Sequence, residues 1–296
     1  MRRLSISAGF IPLVDAAPLV IAKEMGFAEE EGLDLTLASA PSWSTLRDML
    51  AFGQIQAAHM LAPVPVASAL GLLNGLPLLQ ALSVMSLNGA VIGLSNGMAA
   101  QLRATGYGFD FADAAAAAAA VAQLPRPLRI GVPFVLSMHR ELVSLWLRSA
   151  GLAEGADFQV QAVPPPLMAQ AIHNGDIDLF CVGEPWGTVV VDRGDGALLL
   201  PSAAIWSSAP EKVLAVRADW CAENPEASAR LLRALWRAGD WMVRPGRMAM
   251  VSELLSSQRY LAIAPELIDP ALSGRFCIDA AGSERRVPGV IRFHSQ

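Results

Sequence analysis

At 296 residues the chain is long enough for one large domain or two medium ones, each with a proper core. A net charge of −5 with no basic stripe argues against nucleic-acid binding. Hydrophobic residues reach 53% and charged ones only 17%, with a mean hydropathy of +0.41. Yet Pro, Gly, Asn or a charge breaks every long apolar stretch before the roughly 20 residues that a bilayer span requires. The excess apolarity fits buried parallel strands, which are hydrophobic on both faces, so no membrane insertion is expected. Three widely spaced cysteines, Cys181, Cys221 and Cys277, suit a reducing compartment and form no metal motif. Met1-Arg2-Arg3 leads directly into the alternating Leu4-Ser5-Ile6-Ser7, without the apolar core of an export signal. The expected compartment is the cytoplasm, or the periplasm if a signal has been trimmed.

In chain order, a strand at 4–8 is followed by a helical pattern from Pro18 to Met25 that stops at Gly26. Leu33-Asp34-Leu35-Thr36-Leu37 alternates as a strand. Ser42 caps a helix to Phe52, Gly53 sits where a terminating glycine belongs, and a strand runs from Ile55 to Met60. Asp113 precedes an alanine helix over 114–120. The same grammar then returns: a strand over 128–132, a helix from Ser137 to Ala150 ended by Gly151, a strand over 158–163, and a helix over 165–174. Gly175-Asp176-Ile177-Asp178-Leu179-Phe180 matches Gly53-Gln54-Ile55-Gln56-Ala57-Ala58 in pattern. Strands interleaved with helices, twice over, imply an α/β protein of two similar lobes with mostly parallel sheets. The expected division is 1–88 and 200–296 for the first lobe and 89–199 for the second. Ligands bind where such strands end and between lobes, which directs attention to His59-Met60-Leu61-Ala62-Pro63 and Val182-Gly183-Glu184-Pro185-Trp186.

Several residues there could bind a small anion. Lys212, one of two lysines, enters an apolar strand and offers a compact positive charge; an exposed lysine beside a turn is the plain alternative. His139 stands at a helix start, where free N–H groups and an imidazole donor favour anions, against a locally bonded histidine. His59 follows a strand and divides the same way. Asn88 could present an amide, although a turn residue before Gly89 is its commoner role. Trp43 is a cleft wall or a packing residue. Glu184 is the carboxylate expected near the cleft, shaping a hinge with Trp186. No Gly-x-Ser-x-Gly elbow, phosphate loop or His/Cys cluster is present, so no enzyme, metal or cofactor is expected.

The ordered strings Gly9-Phe10-Ile11-Pro12-Leu13, Asp15-x-x-Pro18-Leu19, Lys23-Glu24-x-Gly26-Phe27, Gly32-Leu33-Asp34, Ser42-Trp43, Arg47-Asp48, Ala58-His59-Met60-Leu61-Ala62-Pro63, Cys181-Val182-Gly183-Glu184-Pro185-Trp186 and Pro210-Glu211-Lys212 carry a resemblance. The chain resembles the nitrate/bicarbonate branch of ABC-transporter solute-binding proteins, and especially their cytoplasmic relatives, the NasS-type nitrate/nitrite sensors. The resemblance implies a two-lobed periplasmic-binding-protein fold (type II) closing around one anion. It gives ligand roles to His139 and Lys212, and the lysine favours nitrate or nitrite over bicarbonate. It aligns Asn88 with a pocket amide and Met60 with a pocket tryptophan of the transporter branch. The implied partner of a sensor is an ANTAR-domain antiterminator; for a transporter component it is an ABC permease. A third reading, a pyrimidine- or thiamine-precursor enzyme, would require Cys181 in the cleft.

Overall fold

The structure is a computed structural model that describes residues 3–73 and 75–293. Its strands in chain order are β1 (Leu4–Phe10), β2 (Leu33–Ser39), β3 (Ala57–Leu61), β4 (Leu79–Asn88), β5 (Ala90–Ser95), β6 (Leu128–Val132), β7 (Phe158–Ala162), β8 (Leu179–Gly183), β9 (Gly196–Pro201), β10 (Pro210–Arg217), β11 (Arg275–Cys277), β12 (Glu284–Arg286) and β13 (Ile291–Phe293). Contacts divide the chain into two compact units. The first comprises Met1–Leu87, Pro210–Glu266 and Arg292–Gln296, and the second Asn88–Ala209 and Leu267–Ile291.

The sheet of the first unit runs β13-β4-β10-β3-β1-β2. β1 lies parallel to both β2 and β3, whereas β10 is antiparallel to β3 and β4. Local chemistry accounts for the boundaries of its helices. Pro18 falls in the first turn of Ala17–Glu24, where its missing N–H costs nothing, and Gly26 takes φ +78° just beyond the end. The Oγ of Ser42 accepts from the backbone N–H of Thr45 at 3.2 Å and starts the helix Trp43–Ala51.

The second unit repeats the pattern in the order β7-β6-β8-β5-β9, with β6 parallel to β7 and β8, and β5 antiparallel to β8 and β9. Asp113 caps Ala114–Val121 through the N–H of Ala116, and Ser137 caps Met138–Ser149 through that of Arg140. Both sheets are therefore mixed rather than mostly parallel. In each, the strand beside the parallel trio (β10 or β5) enters where the chain has just passed from one unit to the other. It does so without the helical crossover that would keep it parallel. Residues 200–209 and 267–291, assigned to the first lobe from sequence, cluster with the second unit. β9 pairs with β5 through Pro201, and Leu198 N–H bonds Ile278 O at 2.8 Å. Among the described residues no helix is long and apolar enough to cross a membrane.

Candidate functional site

The first unit gathers a charged cluster at the carboxyl ends of its parallel strands, where α/β sheets place their sites. Asp15 follows β1, in the single 3-10 turn Val14–Ala16; Trp43 follows β2 as the first residue of its helix; His59 lies in β3. Antiparallel β10 runs back beside β3 and contributes Glu211 and Lys212 at its start. Lys212 Nζ lies 2.7 Å from Asp15 Oδ2 and 2.9 Å from Glu211 Oε1. Adjacent strand residues ordinarily point to opposite faces; here the register against β4 shifts on both sides of Lys212, the bulge that lets neighbours in sequence meet. His59 Nε2 is 2.9 Å from Asp15 Oδ1, close but not aligned as a hydrogen bond. The Trp43 ring packs 6.0 Å from the His59 ring, with Lys212 Nζ 5.3 Å over the indole.

All five side chains are buried, with Lys212 and His59 at 0% exposure. Burial works against the Lys212 ammonium, but Asp15 and Glu211 outweigh it and raise its pKa. Burial would likewise raise the Asp15 carboxyl, yet Lys212 and His59 hold it far below the usual carboxylate range. For His59 burial wins over the pull of Asp15, and the ring's pKa falls, so it is neutral at pH 7. Lys212 thus contacts both Asp15 and Glu211. Among the buried polar atoms with no hydrogen-bond partner among the described residues are Trp43 Nε1, His59 Nδ1 and Ser86 Oγ. Ser86 stands opposite Lys212 in the β4–β10 ladder. Buried groups left unsatisfied cost about 1–3 kcal/mol each, and a ligand could recover that cost.

Sequence reasoning thus singled out three members of one cluster: Lys212, His59 and Trp43. Met60 is not brought to it. The ladder pairs Lys212 with Leu61 and Leu214 with His59, so these share a face, while Met60 opposite Val213 points the other way. The remaining candidates lie in the second unit. His139 is fully buried in the first turn of Met138–Ser149. Asn88 turns the chain between β4 and β5 at φ +57°, which asparagine tolerates, and gives one N–H to Ser207 O at 2.8 Å. Its Oδ1 is buried without a partner among the described residues. Glu184 directly follows β8: Oε2 accepts from Thr188 N–H at 3.1 Å, and burial pushes its carboxyl up to about 7. Cys181, which an enzymatic reading would need in a cleft, is buried within β8.

Residues 3–256 match the model of the NMT1-like family. The chain belongs to that family. Among its relatives, a "Nitrate/nitrite binding protein NrtA" from Synechocystis is 33% identical over 262 residues, 86% of this chain and 57% of that protein. A "Nitrate import ATP-binding protein NrtC" from the same organism is 32% identical over 274 residues, covering 91% of this chain and 40% of that protein. The chain therefore spans about half the length of these relatives. The crystal structure of the periplasmic nitrate-binding protein NrtA from Synechocystis superposes with a TM-score of 0.88 at 30% identity, covering 98% of this chain and 76% of that one. The NMT1-like chain is thus a homologue of nitrate-type ABC solute-binding proteins and shares their binding-protein fold.

Two members of the cluster, Asp15 and Glu211, stood in the strings that carry the resemblance but were not singled out as site residues. Asp15 carried a signal: it is the lone charge in the apolar run from Phe10 to Ala22. A carboxylate so placed must find a buried partner or lose its charge. Glu211 had none, because nothing in Pro-Glu-Lys announces the bulge.

Proposed function

We propose that this NMT1-like chain binds one small oxyanion, nitrate or nitrite, as the substrate-binding component of an ABC-type importer, and catalyses no reaction. The observation that carries this reading is the buried Lys212 ammonium beside the unpartnered Trp43 Nε1–H and Ser86 hydroxyl. Nitrate offers acceptors and no donor, which complements an indole N–H and an ammonium. The names of the NrtA and NrtC relatives support the ligand class and the transport setting, and a permease would be the partner. The ligand roles of His139, Asn88 and Glu184 belong to the same proposal.

One observation favours a second reading: Met60 stands where the sequence resemblance puts a pocket tryptophan, as in the sensor branch. There the chain would be a cytoplasmic sensor, and an ANTAR-domain antiterminator would be released or held according to anion occupancy. Fractionation of cells expressing the natural gene separates the two, since an importer component accumulates outside the cytoplasmic membrane. Calorimetric titration of ligand-stripped protein tests the shared part. Saturable heats with nitrate or nitrite support anion binding, and their absence refutes it.

A further inference from the structure

The Lys212 ammonium is fully buried, so where each of its hydrogens goes matters. An ammonium carries three N–H donors. Two of them reach Asp15 Oδ2 at 2.7 Å and Glu211 Oε1 at 2.9 Å. The third finds no oxygen acceptor among the described residues, where the Trp43 ring centroid is 5.3 Å from Nζ. An ammonium on a flexible four-carbon stem turns freely unless its partners fix it. With two of its tetrahedral N–H bonds committed, the direction of the last is set. The two carboxylates are not equivalent in this. Glu211 is next to Lys212 in β10 and makes a further interaction of its own, so it moves with the strand that carries the lysine. Asp15 comes from the 3-10 turn after β1 and meets Lys212 across β3, which lies between β1 and β10. On the way its other oxygen, Oδ1, lies 2.9 Å from His59 Nε2 of β3. A carboxylate accepts and cannot donate, so the neutral ring keeps its hydrogen on Nε2.

We propose that Asp15 is the positioning residue of the anion site: it clamps the Lys212 ammonium across β3, aims its one uncommitted N–H at the anion, and holds the His59 ring in its Nε2–H form. Asp15 touches no atom of the ligand and acts through Lys212. The inference rests on the anion-binding reading and adds to it the residue that aims the cation.

The test is calorimetric titration of the intact, ligand-stripped chain with nitrate at a series of pH values, comparing wild type with Asp15→Asn. The substitution keeps the size of the side chain and one acceptor oxygen but removes the charge. Asp15 and Glu211 are the titratable groups that hold the proton on Lys212 against burial, and His59 faces them from β3. Without the Asp15 charge the ammonium gives up its proton at a lower pH. Nitrate affinity is expected to be at least about tenfold weaker in Asp15→Asn at pH 7. It is expected to fall further in the variant between pH 8 and pH 9.5, where wild type stays level. The ring ¹⁵N signals of His59 in the wild type give a readout independent of that variant's folding: at pH 7.5 Nε2 carries the hydrogen and Nδ1 does not. In Asp15→Asn, whose amide can donate to Nε2, the hydrogen is expected to move to Nδ1. A folded Asp15→Asn protein that binds nitrate as wild type does across the whole series, or a wild-type ring with its hydrogen on Nδ1, overturns the proposal while leaving anion binding intact. No nitrate binding by the wild type overturns the anion reading itself, and the proposal with it.

Discussion

The side chains of the cluster are tied so closely that removing one exposes the charge of the next. Lys212→Met removes the buried ammonium that Asp15 and Glu211 both contact, which costs about 3–5 kcal/mol of stability. Urea denaturation should show this loss, and Asp15→Asn with Glu211→Gln in the same chain should recover most of it. If Lys212→Met unfolds with the wild-type midpoint, the ammonium is not paired as described. Glu184 gives a prediction of the opposite kind. Its carboxyl is raised from an ordinary 4.5 to about 7, so its favourable contribution is complete below the unfolded value and fades as pH rises through the folded one. Glu184→Gln cannot ionise, and its stability relative to wild type should increase by roughly 2–3 kcal/mol between pH 5 and pH 8. A pH-independent difference would mean that Glu184 is solvated. His59, lowered by burial, acts in the reverse direction: the ligand-free protein loses stability as pH falls below its ordinary 6.5.

At the scale of elements, most boundaries were legible because local chemistry sets them. Ser42, Asp113 and Ser137 each cap the helix that the sequence pattern started behind them. Gly26, Gly53 and Gly151 take the positive φ expected just past helix ends. Strand limits were less legible. The run 175–180 reads as a helix end turning into a strand, and β8 itself begins only at Leu179, after Asp178, which accepts from the backbone and guanidinium of Arg129 in β6. Strand direction was not legible at all, since apolar runs look alike whether their neighbours run parallel or antiparallel. The packing of β5 between β8 and β9 yields a test. A Cβ on Gly93 would overlap the Phe180 ring and lie 2.8 Å from the carbonyl oxygen of Ala197. Gly93→Ala should therefore cost about 1–3 kcal/mol, toward the upper end because a carbonyl in a ladder cannot move aside. Thermal denaturation with an unchanged midpoint would contradict that packing.

For the whole molecule, the repeated strand–helix grammar was visible twice in the sequence, and the structure returns it as two units with the same strand order around a parallel trio. The shared order explains why the strings at 53–58 and 175–180 match. His59 and Trp43 lie at the carboxyl ends of parallel strands, whereas Lys212, singled out as one of two lysines, comes from the start of antiparallel β10. What sequence could not supply was long-range pairing, such as Asp15 with Lys212 across most of the chain, or the return of 267–291 to the second unit. The account as a whole predicts a molecule that holds one monovalent oxyanion with Lys212 and Trp43 as donors. Equilibrium dialysis of ligand-stripped protein against ¹⁵N-nitrate tests this most directly, with Trp43→Phe as the comparison because it keeps the packing ring and removes only the unpartnered N–H. The account predicts saturable nitrate uptake displaced by nitrite, and at least about a tenfold weaker affinity in a folded Trp43→Phe protein. Uptake that fails to saturate, or that Trp43→Phe leaves unchanged, would contradict it.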